Sequence, residues 1–148
     1  MSNLRNLDIN TILQYKKTLA FSIGLIGMVL LDLTVSSELA FWITPLLVGI
    51  LAGVVYGSAF GGTFAALGSM FGRLISTMLI AVTTPGMLRT GDLFLAAVGD
   101  VLGAPLPTGS LIIILLSMII SALFSYLGGT TGGSAVKLIR SLSIAEEE

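Results

Sequence analysis

The chain has 148 residues, of which 55% are hydrophobic and only 10% charged, with a net charge of −1. Soluble domains carry roughly a quarter charged residues, and a fold of this size cannot bury so much apolar surface in one core. With a mean hydropathy of +1.03, the solvent that fits is a bilayer. The near-neutral charge leaves no basic surface for nucleic acid. The absence of His and Cys removes the ligands of haem, iron–sulfur, copper and almost all zinc sites, along with His proton shuttles and thiol nucleophiles. No cofactor or metal is expected.

Residues 1–17 read as an amphipathic N-terminal segment. Leu4, Leu7, Ile12 and Leu13 share one face of a helix, with Arg5 and Asp8 elsewhere. Such a segment is expected to lie among lipid headgroups or to remain a partly ordered tail, with Lys16 and Lys17 as anchors at the water boundary. The apolar run that follows is longer than the hydrophobic region of a signal peptide, and no small-residue cleavage pattern ends it. It is expected to be retained as the first span, 18–35, with Asp32 near its far end.

The second run, 39–56, carries no charge. Its sequence FWITP places Trp42 as an aromatic anchor near the outer interface. Gly49, Gly53, Gly57 and Gly61 recur every four residues, and Gly68 and Gly72 form a further pair on the third run, 63–82. Residues four apart share a helix face, and flat glycine faces let helices approach closely in lipid. Two uses are open. One is packing within the chain, with span two expected against span three; the other is a seam to a second protomer or to a partner subunit. The glycine-rich turn between the spans has no Walker lysine and follows no strand, so it is not a phosphate loop.

Arg73 is the strongest single-residue signal, because it falls about ten residues (roughly 15 Å of helical rise) from either end of its span. An intramembrane cation faces the protein interior and pairs. Asp100 is the first expected partner and Asp32 the second, since Asp32 lies nearer the membrane edge. The reading leaves open whether the group is a structural pair, a site for an anion, headgroup or polar substrate, or a contact to another subunit.

Between spans three and four, residues 83–109 hold three of the four prolines. Thr90 or Asp92 is positioned to cap a short helix over 93–103 that Pro105 ends. At about eleven residues it is too short to cross, so a re-entrant or interfacial helix is expected. A fourth run, 110–127, is uncharged, and residues 130–148 read as a glycine-rich stretch, a second amphipathic surface helix and an acidic tail. Both Tyr56 and Tyr126 precede paired glycines and then a basic R-L-I or K-L-I-R. The similarity records an internal duplication or a chance match among abundant glycines.

The expected fold is thus an all-α integral membrane protein of about four transmembrane helices, with a short re-entrant or interfacial helix and amphipathic terminal segments. Residues 18–129 form the single membrane domain. Arg5, Lys16, Lys17, Lys137 and Arg140, five of the seven basic residues, flank the termini. The positive-inside rule therefore predicts both termini on the cytoplasmic face of the cell membrane.

The stretch PLLVGILAGVVYGSAFGGTFAALGSMFGRLI, residues 45–75, resembles small glycine-rich, four-span archaeal membrane proteins of unknown function. These share a P-L-x-x-G-x-x-A-G second span, a glycine turn, a Gly/Ala-rich third span and a glycine stretch after the fourth, as LGGTTGG here. The resemblance covers about half the chain and implies the four-span architecture. It matches neither Arg73 nor the 93–103 helix.

Apart from Thr18, which follows Lys17 at the membrane edge, no serine or threonine in the spans has an adjacent His or Lys base, so no catalytic group is expected. The leading expectation is a non-catalytic structural or accessory subunit of a larger membrane assembly, with other membrane subunits or a second copy as partners beside the lipid bilayer. The alternative is a small homo-oligomeric channel or transporter with a polar path near Arg73 and Asp100. A membrane enzyme ranks last.

Overall fold

A computed structural model describes residues 2–35, 38–83, 90–104 and 110–145. The described residues form five helices and no strand: α1 Ser2–Thr34, α2 Glu38–Tyr56, α3 Gly61–Thr83, α4 Thr90–Val101 and α5 Leu111–Ala145. The side chains of Leu4, Arg5, Leu7, Asp8, Thr90 and Asp92, together with Arg89, Pro105 and residues 146–148, lie outside the described part, so the roles expected of them are not addressed. Three helices are long and apolar enough to cross a membrane, within Thr11–Thr34, Gly61–Ile80 and Leu111–Ile144, and Phe41–Tyr56 is a shorter apolar helix.

Two helices run past the boundaries expected of them. The N-terminal segment is continuous with the first apolar run, because α1 is unbroken for 33 residues. Nothing between Tyr15 and Ala20 stops a helix, and the Thr18 hydroxyl donates back to the Gln14 carbonyl at 3.0 Å. Nor do the glycines after residue 127 break the last helix, since α5 is one helix of 35 residues. The glycines in GGTTGG lie against other backbone there, and Thr130 and Thr131 donate to the Leu127 carbonyl at 2.9 and 2.7 Å. The two similar glycine passages therefore do different jobs. One is a turn and a helix start; the other is the middle of a helix.

The turn after α2 is set by Gly57, whose φ of +77° is the left-handed conformation that ends helices cheaply only at glycine. Its amide donates to the Gly53 carbonyl at 2.9 Å, and Gly61 and Gly62 donate to Ser58 and Ala59 as α3 begins. Gly57 thus interrupts the four-residue glycine series and is no part of a packing stripe. Gly103 (φ +72°) ends α4 in the same way. Ala104 donates to the Gly99 carbonyl and Gly103 to that of Asp100, a Schellman arrangement that stops the helix before Pro105. At the start of α5 the Ser110 hydroxyl accepts from the Ile113 amide at 3.4 Å, as an N-cap does.

The helices associate as two parallel pairs, α1 with α3 and α2 with α5. Glycine decides both. A Cβ at Gly68 would fall on the backbone of Phe21, Leu25 and Gly24, and one at Gly72 would lie 2.6 Å from the Leu25 carbonyl. On the other pair, Gly49 meets the backbone of Ser125, and Gly53 meets that of Gly129. The expected pairing of the α2 glycines with α3 is therefore replaced by α2 with α5. A short connection does make α2 and α3 neighbours around the turn, where Gly61 approaches the Tyr56 Cβ and the Gly53 Cα at 2.7 and 3.0 Å. The flat face of α2, however, is turned to α5. α2 and α3 meet closely at the turn and again where Arg73 reaches the Phe41 carbonyl, while the glycine face between is filled by α5.

The burial pattern is inverted relative to a soluble domain. Ser69, Ser76, Ser117, Ser121, Ser125, Thr44 and Arg73 are buried, while Ile26, Leu30, Leu47, Leu51, Leu67, Phe71 and Leu123 are exposed. In water that exchange would be ruinous. In lipid the outer apolar belt is solvated, and small and polar residues do the packing. This is the architecture of a helical membrane protein.

Candidate functional site

The buried polar residues converge on one guanidinium. Arg73, 2% exposed, is positioned by α3, which turns this face toward the interior because Ser69, Gly72 and Ser76 on the same side are small enough to admit neighbours. Its Nη1 donates to Asp32 Oδ1 on α1 at 2.7 Å. Its Nε donates to the Ser121 hydroxyl on α5 at 2.8 Å, and its Nη2 donates to the Phe41 carbonyl on α2 at 3.0 Å. The guanidinium also lies 4.6 Å from the centre of the Phe41 ring, in cation–π range. The second oxygen of Asp32 accepts from the Ser76 hydroxyl at 2.6 Å. One arginine from α3 thus ties together α1, α2 and α5.

The Phe41 carbonyl is available because of Pro45. In a helix that carbonyl would accept from the amide four residues on, and residue 45 has no N–H. The proline sits inside α2 and is fully buried. It orphans an acceptor at the point where Arg73 brings a donor. An unpaired backbone carbonyl in hydrocarbon costs several kcal/mol, so each group answers the other's deficit.

The partner of Arg73 is Asp32, the second candidate, and not Asp100. Two physical reasons reverse the expected order. The long arginine side chain carries its charge toward the ends of α1 and α2 where Asp32 and Phe41 lie, and the Cβ of Asp32 leans back toward the start of its own helix. Depth counted from Cα positions misses both displacements. Meanwhile α4 packs on α2 and α5 through Leu95, which clusters with Phe41 and Ile113, with Ala96, Trp42 and Ile120 around them. Asp100 is five residues on, roughly 140° further round the helix, and is exposed. The short helix roofs the arginine site with apolar side chains and does not supply its counter-ion. Asp100→Ala should accordingly leave the unfolding free energy of the detergent-solubilised protein, read from a denaturing-detergent titration, within about 0.5 kcal/mol of wild type, as for other exposed sites.

The remaining candidates divide. Gly49, Gly53, Gly68 and Gly72 are helix-packing residues within the chain, Gly61 packs at the turn and Gly57 forms it. Trp42 is half-buried, edge-on to Phe41 at 5.0 Å and tilted against Phe124 at 5.5 Å; it packs α2 on α5 rather than standing out as an anchor alone. Lys17 places its ammonium 5.8 Å from the Phe64 ring centre, and Lys16 beside it is half-buried. The sequence reading missed Ser76, Ser121 and the Phe41 carbonyl. Two signals pointed to them: Pro45 four residues after Phe41, and Ser117, Ser121 and Ser125 spaced by four along an otherwise apolar span.

Chemically the site is closed. The charge of Arg73 is neutralised by Asp32, and its bonds go to groups of the chain itself, with an aromatic ring on one side and the α4 roof beyond. Such an arrangement holds helices together. No protein-family model, curated protein or solved structure matches the chain, so a reading of function rests on its own geometry.

Proposed function

We propose that this protein is a non-catalytic structural subunit of a larger membrane assembly, crossing the bilayer four times with both termini on the cytoplasmic face of the cell membrane. The observation that carries this reading is the length of α1 and α5. The level of the α2–α3 turn is marked on α5 by Gly133, which meets Ser58 and Ala59, and on α1 by Lys17, which lies over Phe64. Beyond that level about fifteen residues of α1 and twelve of α5 continue as helix, roughly 20 Å each. Both carry exposed apolar side chains: Ile12, Leu13 and Tyr15 on one, Leu138, Ile139 and Leu142 on the other. Leu138, Ile139 and Leu142 share a stripe that no other described element covers. The glycine faces, by contrast, are spent inside the chain, so a partner is expected on these projecting helices and not on the glycine stripe.

A channel or transporter is the second reading, favoured by the line of buried serines beside Arg73. Purification of the full chain in mild detergent with native mass measurement separates the two. Unlike subunits in fixed stoichiometry, lost on Leu138→Glu with Leu142→Glu, support the subunit reading. A defined homo-oligomer with no other protein present overturns it in favour of the channel.

A further inference from the structure

We propose that the turn end of the bundle binds the phosphate groups of anionic lipids in the surrounding leaflet, through Lys16, Lys17, Lys137 and Arg140. The inference rests on the membrane placement of the chain and not on the subunit reading. On one flank of the turn, Lys17 is held over Phe64, whose ring stacks on Tyr56 at 5.7 Å and 25°. Its ammonium is thus fixed beside the first turn of α3 instead of ranging freely. Lys16 precedes it and is half-buried. On the other flank α5 passes the turn in backbone contact with Ser58 and Ala59, and the Arg140 guanidinium comes to 3.8 Å from where a Cβ at Gly57 would lie. Lys137 is four residues beyond Gly133, about one helical turn, and is exposed.

Four cations from two helices therefore flank one turn. Among the described residues the salt bridge is that of Arg73 with Asp32, at the other end of the bundle, and no described carboxylate pairs with the four. The depth is that of headgroups. Lys17 stands where the apolar run begins, and the aromatic Phe60 at the tip of the turn and Tyr15 on α1 are 71% and 67% exposed, as residues of an interfacial belt are. Cations held at that level, with no carboxylate beside them among the described residues, face the phosphates of the surrounding lipids. Each lysine near an anionic membrane surface strengthens binding roughly fivefold.

The test measures binding of fluorescent phosphatidylglycerol and phosphatidylcholine probes to the detergent-solubilised full chain, wild type against the triple variant Lys16→Gln, Lys17→Gln and Lys137→Gln. Arg140 is retained because it also covers the end of α2. Wild type should prefer the anionic probe by roughly a hundredfold at low salt, the product of three lysines. The preference should shrink steeply in high salt and fall to at most the roughly fivefold that Arg140 alone supplies in the triple variant, whose helicity and elution volume match wild type. Equal binding of both probes by wild type overturns the proposal, as does a preference that survives undiminished in the folded triple variant. Displacement of the anionic probe by millimolar inorganic phosphate would show a free-anion site and also overturn it. If the triple variant does not fold, the salt dependence of wild type decides alone: a salt-insensitive preference overturns the proposal.

Discussion

Arg73→Met is expected to be the most damaging single substitution in this chain. It leaves the Asp32 carboxylate buried without its counter-ion, and removing one partner of a buried ion pair costs about 3–5 kcal/mol. It also strands the Phe41 carbonyl, which Pro45 has already deprived of its helical donor, for about 1–3 kcal/mol more. Against a total stability of the order of 5–15 kcal/mol, that loss is enough to unfold much of the population. The measurement is the folded fraction in a titration with a denaturing detergent, followed by helicity and by fluorescence of Trp42, which packs one residue from the bonded carbonyl. Pairing Arg73→Met with Asp32→Leu should recover most of the loss, because an apolar pair of similar volume avoids the desolvation of both charges. Recovery is not expected to be complete, since the Phe41 carbonyl stays orphaned. An Arg73→Met protein that denatures like wild type would mean that the four-helix tie contributes nothing.

Gly53→Leu should come next, for a reason of space alone. The position has ordinary helical backbone, but any Cβ there meets the Gly129 carbonyl and Cα. Backbone cannot step aside as a side-chain tip can, so α2 and α5 must separate. The expected cost is about 3 kcal/mol or more, the upper range for overpacking, and the separation also draws the Phe41 carbonyl away from Arg73. Gly103→Ala supplies the contrast. That glycine has a positive φ but nothing within 4 Å of the added carbon, so only the backbone strain of about 1–2 kcal/mol applies. Parallel detergent titrations of the two variants separate close packing from conformational freedom. If Gly53→Leu is no worse than Gly103→Ala, the parallel α2–α5 contact is not close-packed.

Composition and hydropathy by themselves determined the solvent of this protein: residues that would be a core in water form the surface here. Run length and charge placement determined an all-helical chain with long apolar helices. The glycines at 49, 53, 68 and 72 announced close backbone contact, and Arg73 announced a buried partner. These properties are local, because they depend on what each residue requires of its surroundings. Which surroundings were supplied is not local. The glycine face of α2 went to α5, more than seventy residues along the chain, where Ser125 and Gly129 are small enough to bring backbone against Gly49 and Gly53. Continuity of α1 and α5 through their polar and glycine-rich stretches was decided likewise by contacts, since a helical glycine is costly in isolation and favourable where another backbone fills the space. The partner of Arg73 was a matter of side-chain reach and of the direction in which Asp32 and Asp100 point, neither of which a count of residues from the membrane edge contains. The sequence stated that an intramembrane charge must be answered; only the packing of four helices made Asp32, Ser121 and a carbonyl freed by Pro45 the answer.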